Sequence, residues 1–344
     1  MDGKENSAKY DDSFEPLLSE RTPDSRHRVS VKYRIIFVIS GFILVISCIL
    51  LGSRVLGLPF NSLKSTPCHT TVRPEWRSLS LKERENYVAA IQCLSNSPSR
   101  LGLNTTRYDD FVYSHLGVAD DTHGTPISLP WHRLYMQRYE DALRNECGYK
   151  DPLPYWDWTL DSSNPTESPV WSSQYGLGGN GSRPDNCLVD GPLAIMKPQY
   201  PQPHCLKRNF AVENMHGMEF TSSIVDNIIS NTSTYHDFRL LLERGPHRYI
   251  HLGIGGEMPE LWSSNDPIFF LHHAQIDRLW WRWQRHGHEN ELRGYDSIDE
   301  GLGTSDTGNL ISMRDVLKFS GLGDDVTAGD VISTQTSLLC YTYE

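Results

Sequence analysis

The chain has 344 residues, enough for one large domain or two small ones, and a net charge of -11. That acidic balance gives no case for a nucleic-acid partner. Residues 1–34 carry seven Lys/Arg and seven Asp/Glu, so the whole acidic excess belongs to residues 35–344.

In chain order, residues 1–34 are polar and predicted to be a disordered tail. Residues 35–52 (IIFVISGFILVISCILLG) form an uncharged, largely apolar run of 18 residues, near the lower limit for spanning a bilayer. A buried core helix or a cleaved signal peptide are the alternatives. The run starts far from the terminus, however, and Arg54 follows it without a small-residue cleavage pattern, which favours an uncleaved anchor. Arg21, Arg26, Arg28, Lys32 and Arg34 precede it against Asp24 alone, so the positive-inside rule puts the tail in the cytosol and the rest in the lumen of the secretory pathway or outside the cell. Residues 53–67 read as a stem, and 68–344 as one catalytic domain.

Three sequons, at Asn104, Asn180 and Asn231, lie after the apolar run and fit a lumenal, glycosylated domain. Beyond Cys48, inside the run, stand Cys68, Cys93, Cys147, Cys187, Cys205 and Cys340. An even number in an oxidising compartment predicts up to three disulfides, with the pairing left open. Residues 81–91 have the pattern of an amphipathic helix. Residues 164–203 are rich in Gly, Pro, Ser and Asn and read as long loops.

Six histidines in two groups carry the chemistry. His115, His123 and His132 form the first group, which ends in Pro130-Trp131-His132-Arg133 with Glu140 two turns on. His247, His251 and His273 form the second. His247 and His251 are spaced i and i+4, one turn apart on one helix face. His273 sits in a largely apolar stretch, residues 269–280, that reads as a buried helix. Two all-imidazole triads without cysteine or carboxylate point to copper before zinc or iron. The predicted fold is mainly α, with a four-helix bundle core holding two coppers and long loops around it. His272 neighbours His273, but adjacent helical positions point about 100° apart. It is therefore placed beside the ligands rather than among them. Trp280, Trp281 and Trp283 read as core packing.

At these residues the chain resembles the tyrosinase family, the type-3 copper proteins that include catechol oxidases and haemocyanins. The resemblance rests on His123, Ser128-Leu129-Pro130-Trp131-His132-Arg133 and Glu140, and on Asp266-Pro267, Phe269, His273 and Asp277. Pro154-Tyr155-Trp156-Asp157-Trp158, Arg73-Pro74-Glu75-Trp76 and Tyr341-Thr342-Tyr343 add to it. It runs from about Cys68 to Glu344 and is nearest to fungal tyrosinase-like oxidases of secondary metabolism. It implies two copper ions, dioxygen as co-substrate, and a phenolic small molecule or a tyrosine-containing peptide as substrate. Phe269 would pack on a histidine of the second group, with His272 and Asp277 also close to the ligands. Tyr341-Thr342-Tyr343 resembles the end of the family's catalytic domain, so the C-terminal shielding domain of many fungal tyrosinases is not expected here.

The chain departs from the family at several positions. Ser128 stands where phenylalanine is usual. Asp121 stands where some relatives have a cysteine cross-linked to a histidine, so that cross-link is not expected. Glu243 is retained as the residue that would hold a water able to deprotonate a phenol, but Arg248 replaces its usual asparagine partner. An Arg248–Glu243 pair would disfavour monophenol hydroxylation more than oxidation of o-diphenols to o-quinones. A haemocyanin-like oxygen carrier and a copper-free scaffold are the rival readings. Copper content and catechol turnover separate them.

Overall fold

The structure is a computed structural model that describes residues 70–211, 214–286 and 312–344. They belong to a unit spanning residues Ser65–Glu344. The predicted tail, apolar run and stem, residues 1–67, lie outside the described residues. Among those described, no helix is long and apolar enough to cross a membrane.

The predicted helix at 81–91 is present as α1, Leu81–Asn96. Ser80 starts it with a capping box. Its hydroxyl accepts from the Glu83 N–H, and the Glu83 carboxylate accepts from the Ser80 N–H. Tyr87, Val88, Ile91 and Leu94 form its buried face, which packs on α2 (Arg107–Gly117) and α3 (Ser128–Cys147). A left-handed Gly148 ends α3, and the Cys93–Cys147 disulfide ties that end to α1.

After loops broken by short 3-10 turns come α4 (Ser222–Asn231) and α5 (Tyr235–Leu242). The chain then passes through an irregular π turn, Glu243–His247, into α6, Arg248–Ile254. Pro246 supplies no N–H, and Gly245 leaves helical geometry at φ -96°, ψ -114°. The last long helix, α7 (Ile268–Arg285), is buried on almost every side, Trp280 and Trp283 included, and packs on α3. The core is mainly α, as predicted. Strands are marginal: β1 (Thr71–Arg73) pairs in parallel with β4 (Tyr341–Tyr343), and β2 (Val316–Leu317) pairs antiparallel with β3 (Val326–Thr327).

The β1–β4 pair carries a buried polar network into α7. Arg133 donates to Asp277 at 2.5 Å, and the Tyr341 and Tyr343 hydroxyls donate to the same carboxylate at 2.5 and 2.6 Å. Arg73 donates to Glu140 at 2.8 Å and stacks on the Tyr341 ring at 3.5 Å. Asp277, expected close to the ligands, stands one turn after His273 on α7. Its partners are arginines and tyrosines, and it fastens α7 to α3 and to the C-terminal strand.

Candidate metal centre

Four helices bring the six histidines together, with one exception to the predicted arrangement. His115 comes from the end of α2, His132 from the first turns of α3, His251 from α6 and His273 from α7. His123 is the exception. It follows a single helical turn, Ala119–Thr122, in extended conformation. His247 closes the π turn, yet its ring lies 4.5 Å from that of His251, as the i, i+4 spacing requires.

Five of the six rings are oriented by backbone carbonyls, and Nδ1 of His273 is buried without a partner. Nδ1 of His115 donates to Leu261 O at 2.9 Å, His123 to Ala119 O at 3.0 Å and His132 to Ser128 O at 2.8 Å. In the second group His247 donates to Glu243 O at 3.3 Å and His251 to Met258 O at 2.5 Å. A carbonyl only accepts, so each of these rings carries its proton on Nδ1 and leaves a lone pair on Nε2. Nε2 of His115 and of His132 is buried without a hydrogen-bond partner, and Nε2 of His251 stands 3.3 Å from Nε2 of His273. Buried polar atoms are seldom left unpaired. The potential ligand atoms within each group lie within 4.8 Å of one another.

The groups meet where His132 stacks on His273, their ring centroids 4.4 Å apart. Phe269 stacks on His273 at 4.0 Å, as the resemblance implied. Burial, reinforced by neighbouring imidazoles, holds His115, His132, His251 and His273 well below the ordinary imidazole range and pushes His247 down to about 4. Burial also lowers His123. Neutral imidazole is the form that binds a metal, so this donor set fits two imidazole-bound ions.

His272 lies nearer the centre than helical spacing implied. Its ring stacks on His247 at 5.3 Å, it falls within the same cluster as His247, His251 and His273, and neither of its buried nitrogens finds a partner.

Glu243 has a different partner from the one expected. Its Oε2 accepts from Arg239 at 2.7 Å, and its Oε1 accepts from the Gly124 N–H at 2.8 Å and the Ser128 hydroxyl at 3.3 Å. Arg248 is exposed and forms no ion pair among the described residues. The reason is helical geometry. Arg239 precedes Glu243 by four residues on one face, whereas Arg248 lies beyond the break at Gly245. Ser128 therefore ties Glu243 to α3, besides orienting His132 through its carbonyl. Sequence reasoning missed Arg239 and Ser128, although the i, i+4 spacing was visible.

A cavity of about 340 Å³ opens onto His115, His123, His247 and His251, and Glu243, Arg244, Arg248, Met258 and Leu261 also line it. Residues 105–286 match the common central domain of tyrosinase. The chain belongs to the tyrosinase family. Among its fungal relatives, the tyrosinase-like protein phomQ2 of Diaporthe leptostromiformis is 37% identical, over 79% of this chain and 72% of that protein. The N-acetyl-6-hydroxytryptophan oxidase ivoB of Emericella nidulans is 30% identical, over 80% of this chain and 93% of its own length. A solved polyphenol oxidase from Thermothelomyces thermophila superposes with a TM-score of 0.71 at 30% identity, over 82% of this chain and 90% of that one. An octopus haemocyanin unit, 20% identical with a TM-score of 0.54 over 80% of this chain and 68% of that one, shares the fold. As a tyrosinase-family oxidase, the chain is a copper oxidoreductase with a type-3 dinuclear centre.

The sequon asparagines Asn104, Asn180 and Asn231 are all exposed. A second disulfide joins Cys187 to Cys205, and Cys340 is also disulfide-bonded.

Proposed function

We propose that this tyrosinase-family protein is a membrane-anchored, lumenal oxidase that uses dioxygen to convert an o-diphenol to an o-quinone in fungal secondary metabolism. The observation that carries this reading is the convergence of two histidines from each group on one cavity with an exposed rim. His115, His123 and His132 would hold one copper, and His247, His251 and His273 the other. Bound copper supplies the two-electron exchange with dioxygen. The carbonyl bonds at Nδ1 fix five of the rings, and Phe269 stacks on the sixth, His273.

Glu243 faces the cavity with three of its roughly four lone-pair sites engaged, which leaves it one site for a substrate-side water. With one site left to hold a water, this arrangement favours diphenols over monophenols. The oxidase of N-acetyl-6-hydroxytryptophan among the relatives makes hydroxyindoles and peptidyl tyrosine reasonable members of a substrate panel. The open rim favours turnover over the haemocyanin-like alternative of oxygen carriage. The apolar run, the exposed sequons and the disulfides support the anchored, lumenal placement.

One preparation tests both parts. In sealed microsomes, catechol oxidation should survive added protease until detergent is present. The purified protein should carry two coppers per chain, and His251→Ala should lose one. Two coppers retained in that variant would sink the ligand assignment, and activity destroyed by protease without detergent would sink the topology.

A further inference from the structure

The loop between α6 and α7 touches both histidine groups. Met258 O receives the Nδ1 proton of His251, and Leu261 O receives that of His115. One short segment therefore sets one ring on each side of the centre. Gly255 and Gly256 start it in left-handed backbone, at φ +62° and +61°. A Cβ there would meet Asn209 O at 2.3 Å or Lys207 O at 2.2 Å, so the loop is pressed against residues 207–209. Those residues are themselves anchored. The Cys187–Cys205 disulfide precedes them, and Arg208 donates to Asp266 at 2.7 and 2.8 Å.

Within this loop Glu257 is a buried carboxylate, 2% exposed, that lines a separate small cavity with His204 and Lys207. Its Oε1 accepts from the Lys207 N–H at 3.1 Å and from Nε2 of His204 at 3.0 Å. Nδ1 of His204 in turn lies 2.7 Å from Gln202 O. Both acceptors lack protons, so both ring nitrogens must donate, and His204 satisfies them together only as imidazolium.

We propose that His204 and Glu257 are positioning residues, a latch that clamps the Gly255–Leu261 loop and through it the orientation of His115 and His251 towards copper. This rests on the assignment of those two histidines as ligands. The charged groups around the latch are Lys207, which opposes a charge on His204, and Glu257 and Glu260, which line the same small cavity and favour it. The hydrogen bond to Glu257 raises His204 above the ordinary imidazole value. The latch is therefore complete below about pH 6.5. It loses one of its two bonds as pH rises through the raised value.

The test is copper release from the fully loaded, full-length protein into excess chelator, at about pH 5.5 and about pH 8.5. His204→Gln keeps one donor but cannot be charged, and Glu257→Gln removes the charge that clamps it. Each variant's release rate is divided by the wild-type rate at the same pH, which cancels proton competition at the ligands. The expected ratio is about tenfold at the lower pH, in the range of a lost charge-assisted hydrogen bond, falling towards one at the higher. A ratio of one throughout, or a constant elevated ratio in either variant that folds, would overturn the latch. If wild type holds fewer than two coppers at the outset, the ligand assignment fails and the latch falls with it. If it holds two and the variants release like wild type, only the latch fails.

Discussion

The two histidine groups differ in how the chain holds them. In the first, His115 and His132 stand on α2 and α3, of 11 and 20 residues, whose inner faces are fully packed. In the second, His247 closes a turn interrupted by Pro246, and His251 rides on a helix of only seven residues. His251 also takes its orienting carbonyl from a loop outside its helix. In the first group two of the three rings stand on long packed helices, although His115 takes its carbonyl from that same loop. The second depends on contacts made to it from elsewhere, so small changes outside the ligands should act mainly there.

Acid should produce the largest effect. Six cluster histidines, His272 among them, are held well below the ordinary imidazole range or near 4, and His123 is lowered as well. They are neutral in the fold but bind protons in the unfolded chain below about pH 6.5. The unfolded state thus gains protons first, and the metal-free protein loses stability as pH falls from there, by up to about 1.4 kcal/mol per pH unit for each buried histidine. Urea titrations of apoprotein should show the midpoint collapsing between about pH 6.5 and about pH 4.5. Hydrogen exchange along that series should open α6 before α3, and simultaneous opening would erase the contrast between the groups.

Asp277→Ala should come next. It leaves Arg133 buried beside α7 without its carboxylate, a change that costs about 3–5 kcal/mol. The Arg133–Asp277 pair joins the helix carrying His132 to the helix carrying His273, so the loss should appear as a lower urea midpoint in copper-loaded protein too. A shift below about 1 kcal/mol, the worth of a surface pair, would show that packing alone joins the halves.

The smallest effect should come from Arg248→Asn. Arg248 does not engage Glu243, so the change adds a group able to orient water without releasing any clamp. The monophenol-to-diphenol rate ratio should rise by about threefold, within the reach of one neutral hydrogen bond of roughly 0.5–1.5 kcal/mol, at constant copper content. A flat or falling ratio would remove Arg248 from any part in discriminating the two substrates.

The two histidine clusters were legible because metal chemistry selects side chains, and six histidines at family spacing leave a trace in sequence, although His272 joins the second cluster as well. What orients them was not legible. Leu261, Met258 and Ser128 act through backbone oxygens, which every residue possesses. The fold around the site was legible where one helix face is apolar, as in α1 and α7. It failed at His123, which the chain delivers from an extended residue after one short turn. Asp277 illustrates a different limit, since a motif position records that a residue is needed near the centre without recording whether it serves the metal or the framework. The pairing of Glu243 followed the plain i, i+4 rule, and the expectation of Arg248 placed proximity to His247 above that rule.

The parallel pairing of β1 with β4 has a consequence for synthesis. When α7 leaves the ribosome, all six histidines exist, and so do Arg73 and Arg133. The tyrosines that complete the hold on Asp277 lie 64 and 66 residues further along. A nascent chain therefore owns all six histidines before it owns the fastening for its central helix. Copper delivered at that stage would meet those histidines on an unfinished frame.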